Sequence, residues 1–117
     1  MGLLFDFSKL KFISALKELT IHYLYLEQNL KGLQVLENLE YLHITFSPLL
    51  CDLSALSFLI KLKTLNIDHC MMLKDLSNLE HLRSLKRLKL HHFSNLSVLQ
   101  SLSLLVSLEE LELLGSD

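Results

Sequence analysis

The sequence predicts an α/β solenoid: a right-handed coil of about five repeats, with a parallel β-sheet on its concave face and short helical or 3₁₀ turns on its convex face. Three observations carry this expectation. A pattern L-x-x-L-x-(I/L) recurs as Leu16-Leu19-Ile21, Leu39-Leu42-Ile44, Leu62-Leu65-Ile67, Leu85-Leu88-Leu90 and Leu108-Leu111-Leu113, each copy starting 23 residues after the last, with no insertion or deletion. Ahead of each copy the apolar residues step by three, as in Leu53-Leu56-Leu59-Leu62-Leu65. Such a step drifts off one face of a ~3.6-residue helix but stays on one face of a ~3.0-residue turn. The spacing then drops to two, as from Leu65 to Ile67, which is strand alternation. A single repeat cannot bury its own leucines, so neighbouring copies must stack. The handedness is that of strand, crossover and parallel strand.

The returns open on repeated polar residues: Asp6-Phe7-Ser8, Asn29-Leu30-Lys31, Asp52-Leu53-Ser54 and Asp75-Leu76-Ser77. Asp, Asn and Ser at such starts accept hydrogen bonds from backbone N–H groups that the turn leaves unpaired, so capping is their expected role. The third return is expected over about 52–60. Gly32 and Pro48 fall at corners or helical starts, where their backbone restrictions cost least. The last return departs from the pattern: Val98 stands in the Asp position and Asn95 where Leu26, Leu49 and Met72 sit, which predicts a looser corner.

At 117 residues, half of them apolar, the chain is expected to form a single domain over 1–117. Its 11 basic and 13 acidic residues give a net charge of −2, which argues against nucleic acid as a partner. Cys51 and Cys70 fall at different points of the repeat and lack C-x-x-C spacing, so they read as reduced thiols in an intracellular, cytoplasmic protein. The opening MGLLFDFSKLKFI is interrupted by Asp6, Lys9 and Lys11, unlike a signal peptide, and Asp6 stands where a myristoylation site needs Ser or Thr. No uncharged apolar run approaches the ~18 residues of a membrane helix, and no membrane partner is expected. Asn95-Leu96-Ser97 is a glycosylation sequon that matters only in a secreted chain.

The stretch Leu62 to Cys70, LKTLNIDHC, matches in full the strand signature L-x-x-L-x-L-x-x-(N/C), and with its four in-phase copies the chain resembles the leucine-rich repeat family over about 3–116. The fuller pattern L-x-D-L-S-x-L-x-x-L-x-x-L-x-x-L-x-I-x-x-C looks like the repeats of protozoan surface-antigen and regulatory proteins, bacterial internalins and plant resistance receptors. Leu24, Ser47, Phe93 and Ser116 stand where the family usually has Asn or Cys, which predicts less regular corners. What the resemblance implies is a surface for binding other proteins, seldom catalysis.

If the strand leucines point inward, the residues between them point out, and stacking sets equivalent positions side by side at ~4.8 Å. The outward rows are Glu18, Tyr41, Thr64, Arg87, Glu110; then Thr20, His43, Asn66, Lys89, Glu112; then His22, Thr45, Asp68, His91, Leu114; and, at the strand exits, Tyr23, Phe46, His69, His92, Gly115. Lys86, Arg87 and Lys89 are expected beside Glu109, Glu110 and Glu112, as three pairs worth ~0.2–1 kcal/mol each. Asp68 is expected beside His91. A His/Asp cluster of this sort could hold a metal or sense pH, but its spacing matches no recognised zinc motif, so no metal site and no cofactor are assigned. Tyr41 is the preferred aromatic anchor, because exposed aromatics with Arg commonly anchor interfaces. Tyr23 and Phe46 are read at least as readily as corner packing.

The expected partner surface is Tyr41, His43, Thr64, Asn66, Asp68, Arg87, Lys89 and His91, and the expected function is non-enzymatic binding of an unidentified protein on the concave face. No serine sits in a Gly-rich elbow, and Gly2, Gly32 and Gly115 are too scattered for a phosphate loop. The alternative is a structural spacer segment, or scaffold, within a larger solenoid. Leu99, Leu102, Leu105, Leu108, Leu111 and Leu113 would form a last layer with nothing stacked on it, which suggests end-to-end self-association or further repeats in a longer parent protein.

Overall fold

The structure, a computed structural model, describes residues 6–95 and 97–115. Five strands, β1 (Glu18–His22), β2 (Tyr41–Thr45), β3 (Thr64–Asp68), β4 (Arg87–Phe93) and β5 (Glu110–Gly115), form one parallel sheet in chain order. A short return precedes each strand: 3₁₀ turns at Phe7–Ile13, Leu33–Val35, Ser54–Phe58 and Ser77–Leu79, then an α-helical turn α1 (Ser97–Ser101) running into a 3₁₀ turn at Leu102–Leu104. The register carries the 23-residue step across the sheet, as in Leu19, Leu42, Leu65, Leu88 and Leu111 side by side. It slips between His91 and Phe93, where Phe93 pairs with Gly115.

The step-of-three leucines do what their spacing requires. Leu30, Leu33, Leu36 and Leu39, Leu53, Leu56, Leu59 and Leu62, and Leu76, Leu79, Leu82 and Leu85 are all buried, joined by the inward strand residues Leu42, Ile44, Leu65, Ile67, Leu88 and Leu90. Burial fades at the C-terminal side, where Leu111, Leu113 and Leu114 on β5 are exposed. At the strand exits Leu24, Ser47 and Cys70 are buried in one column, and the bulkier Phe93 is only half-buried. The family position at Ser116 lies outside the described residues.

The expected caps are present. The carboxylate of Asp6 accepts from Ser8 N–H at 3.1 Å, that of Asp52 from Ser54 at 2.8 Å and that of Asp75 from Ser77 at 2.8 Å, while the Asn29 side chain accepts from Lys31 at 3.0 Å. The last return corrects the sequence reading. Asn95, three residues ahead of the missing Asp, accepts from Ser97 N–H at 2.9 Å and from the Ser97 hydroxyl at 2.6 Å, so the corner is capped rather than loosened. Because α1 turns with ~3.6 residues, Val98 becomes the inward residue and Leu99 faces solvent; the step of three starts only at Leu102. Gly32 is required by more than a corner: its φ is +96°, and a Cβ there would lie 2.4 Å from the backbone nitrogen of Ser8 in the first return.

Candidate functional site

The residue just before each strand is charged, and its sign varies along the sheet: Lys17, Glu40, Lys63, Lys86, Glu109. Stacking turns that column into ion pairs, with Glu40 lying 4.0 Å from Lys17 and 3.0 Å from Lys63, and Lys86 3.6 Å from Glu109. The hydrogen bond from Lys63 outweighs the effect of burial and holds the Glu40 carboxyl below the usual carboxylate range. One row further in, Arg87 pairs with Glu110 at 3.1 Å. Between these charges lies a hollow of about 390 Å³ lined by Tyr41, Lys63, Thr64, Arg83, Ser84, Lys86, Arg87, Glu109 and Glu110. Tyr41 is also one wall of a second hollow, of about 430 Å³, with Glu18, Leu19, Thr20, Leu42, His43 and Asn66.

The expected contact residues divide on this map. Tyr41, Arg87 and Lys89 are exposed, and His43, Asn66, Asp68 and His91 are half-buried on the same sheet. Thr64 is a correction: it is 5% exposed, sitting in the sheet between the larger Tyr41 and Arg87, so it forms floor rather than contact surface. The Asn66 side-chain oxygen is buried and has no hydrogen-bond partner among the described residues. Two of the three expected charge pairs form. The third, Lys89 with Glu112, does not, because the Glu112 carboxylate lies 2.6 Å from His91 Nε2 instead.

Asp68 lies beside His91 as expected, paired with it in register, but its carboxylate turns to the strand exits. There Oδ1 lies 2.6 Å from His69 Nδ1 and 2.9 Å from His92 Nδ1. Burial alone would raise the Asp68 pKa; the hydrogen bond from His92 and the charge of His69 outweigh it and leave the carboxyl below its ordinary value. Nearby, burial pushes the Cys70 thiol up to about 11, while Cys51 is exposed and both cysteines are unpaired.

The exit row is more ordered than a corner-packing role requires. Tyr23, Phe46, His69 and His92 all have left-handed backbone, with φ of 63°, 49°, 56° and 57°. The N–H groups of Tyr23, Phe46 and His69 continue the sheet past the strand by donating to Thr45, Asp68 and His91 carbonyls at 3.0, 2.9 and 3.0 Å. With the same turn at each level, the rings project in one direction and stack: Tyr25 on Tyr23 at 5.8 Å, Tyr23 on Phe46 at 5.4 Å, Phe46 on His69 at 4.3 Å and His69 on His92 at 3.9 Å between centroids. The sequence map placed these residues in one row, but neither the backbone twist nor Tyr25 was visible in it. Lys63 and Arg83 were missed because the charged position ahead of the strands was mapped only for the last two repeats, at Lys86 and Glu109, and the position of Arg83 in none. The 23-residue spacing of the charged column from Lys17 to Glu109 was the signal that would have found Lys63.

Stacked units of one strand and one short return, in phase over the whole sheet, define the leucine-rich repeat fold. Among solved structures, the chain is similar to internalin F of Listeria monocytogenes, with 23% identity over 92% of this chain and 37% of that one and a TM-score of 0.50. It is also similar to internalin C2 of the same organism, with 24% identity over 76% of this chain and 48% of that one and a TM-score of 0.46. The chain thus spans less than half the length of either structure. No protein-family model and no curated protein matches the sequence.

Proposed function

We infer that the chain is a non-enzymatic protein-interaction module that takes a protein partner on its concave face, and that it works in a reducing, intracellular setting. One observation carries the reading: Tyr41, 40% exposed, stands between two hollows, and cations Lys63, Arg83, Lys86 and Arg87 rim one of them. A rigid aromatic beside arginine is the composition of an interface anchor, since both bury large areas for little loss of conformational freedom. The sheet beneath is held by backbone bonds and buried leucines, so these side chains are presented on a firm platform. The interleaved carboxylates of Glu40, Glu109 and Glu110 oppose a polyanion such as nucleic acid. The free thiols of Cys51 and Cys70 support the reducing setting, and no helix among the described residues is long and apolar enough to cross a membrane.

The test is capture with the immobilised chain. A protein held by the wild type and lost with the Tyr41→Ala/Arg87→Ala double variant, whose fold is checked by circular dichroism, supports the reading. Undiminished capture by that variant overturns it. A second reading, a structural segment of a larger solenoid, is favoured by the exposed leucines Leu111, Leu113 and Leu114 on β5, the kind of surface that another repeat covers. Capture that no concave-face substitution disturbs would favour it, and concentration-dependent sedimentation would reveal end-to-end association of copies.

A further inference from the structure

We propose that Asp68, His69 and His92 form a binding site for a divalent transition cation of the zinc, nickel and copper class. The site lies at the strand exits, about 13 Å along β3 from the hollow at Thr64; Asp68 belongs to the expected contact surface, but the site shares no residue with the two hollows beside Tyr41. Asp68 ends β3, His69 follows it, and His92 belongs to β4, so the three come from adjacent levels of the sheet. Their ligand atoms, one carboxylate oxygen and two Nδ1 atoms, all lie within 4.8 Å of one another.

The contacts converge two imidazole nitrogens on one carboxylate. His92 Nδ1 is a hydrogen-bond partner of Asp68 Oδ1 at 2.9 Å. His69 Nδ1 lies closer, at 2.6 Å, yet it is buried without an aligned hydrogen bond. With its proton on Nε2 the His69 ring turns a lone pair toward that carboxylate, a contact that a cation between or beside the two relieves, whereas a proton on Nδ1 satisfies it without a metal. Two imidazole nitrogens converging on one carboxylate are the donor set of an open three-ligand site, with water completing the shell. Nitrogen donors select the zinc, nickel and copper class over magnesium and calcium, which prefer oxygen.

The fit needs two adjustments. Metal-to-ligand distances of about 2.0–2.2 Å set neighbouring ligand atoms roughly 3.3 Å apart, so the carboxylate must swing out by about half an ångström toward solvent, where the Asp68 side chain is 27% exposed. The rings are inclined by only 20°, so one of them must also tip for both lone pairs to meet the ion. His92 is the ring free to do so, because His69 is held from its other side by Phe46 at 4.3 Å. Each neutral imidazole ligates through Nδ1 with its proton on Nε2, so a ring starting in the other tautomer exchanges that proton through water. A ring that is protonated must first lose a proton to solvent.

The test is calorimetric titration with zinc, with thermal unfolding in parallel, on the 117-residue chain carrying Cys51→Ser so that the exposed thiol plays no part. One equivalent is expected to bind and raise Tm, whereas magnesium leaves Tm unchanged. His69→Asn and His92→Asn keep a residue type that accepts left-handed backbone but remove the ligand, and Asp68→Asn removes the anion. Each should weaken binding by at least the roughly 10–100-fold that even outer-shell changes cost. His43→Asn and His91→Asn should bind as tightly as the parent. No binding at large molar excess of zinc overturns the proposal. So does unchanged affinity in the three ligand variants, which would mean that zinc binds elsewhere.

Discussion

Leu62 and Leu111 are both leucines of the repeat pattern, at its first and second positions, yet truncating them should have unequal effects. Leu62 is wholly buried, with Leu39 and Leu85 at the equivalent positions above and below it, also buried. Leu62→Ala therefore removes buried methyl groups and leaves a closed cavity that the fixed register keeps from collapsing, at a cost of about 3–5 kcal/mol. Leu111 is 46% exposed on β5. About half of the ~1.5–3 kcal/mol for full burial of a leucine is in play there, and no closed cavity forms, so Leu111→Ala should cost roughly 1 kcal/mol. Against a typical net stability of ~5–15 kcal/mol, the first substitution is severe and the second mild. Urea unfolding of both variants and the wild type, followed by far-ultraviolet circular dichroism, reads the difference directly, and an unchanged m-value shows that the unfolding unit is the same. Equal midpoints for the two variants, or a larger loss at Leu111, would refute the reasoning.

Two further outcomes are expected. Gly32→Ala should lower stability by the ~1–2 kcal/mol of left-handed backbone plus the displacement of Ser8, whose nitrogen a Cβ would meet at 2.4 Å; thermal unfolding checks this, and a rise in Tm would contradict it. The folded-state pKa of Asp68 is lowered from 3.8, so its ionised carboxylate stabilises the protein above that value and the contribution disappears as pH falls through the folded pKa. Asp68→Asn should therefore flatten the loss of stability as pH falls from about 5 to below 3.8, relative to the wild type, measured as urea midpoints.

The fold was legible because its determinants are local and repeated. A step of three, a step of two and an Asp or Asn every 23 residues each fix one part of the unit, and stacking copies them without error. The failures came where one copy differs. Val98 and Asn95 look like a broken cap when aligned by the repeat, but the backbone shifts the cap to Asn95 and changes the turn from ~3.0 to ~3.6 residues, which no fixed phase can anticipate. Rows of outward residues were legible too. Side-chain partners were not, because a row places Cβ atoms and not the ends of long side chains. Glu112 reaches His91 rather than Lys89, and Asp68 reaches backward to His69 and His92 rather than across to His91. Thr64 was misjudged for a related reason: pointing outward does not mean reaching solvent when the neighbours on both sides are larger.

The stack of rings at the strand exits bears on how freely this molecule can be rearranged. Its inward leucines are nearly interchangeable, so a chain with two middle repeats transposed would keep its core. The exit column would not survive such shuffling. It runs from phenols at Tyr25 and Tyr23 through Phe46 to the imidazoles of His69 and His92, with Asp68 beside the imidazoles alone. Exchanging the second and third units would bring a histidine against Tyr23 and part it from its twin. Order along the solenoid is thus written on one edge, in residues that carry little of the core, and a designer who treats the repeats as identical parts would erase it.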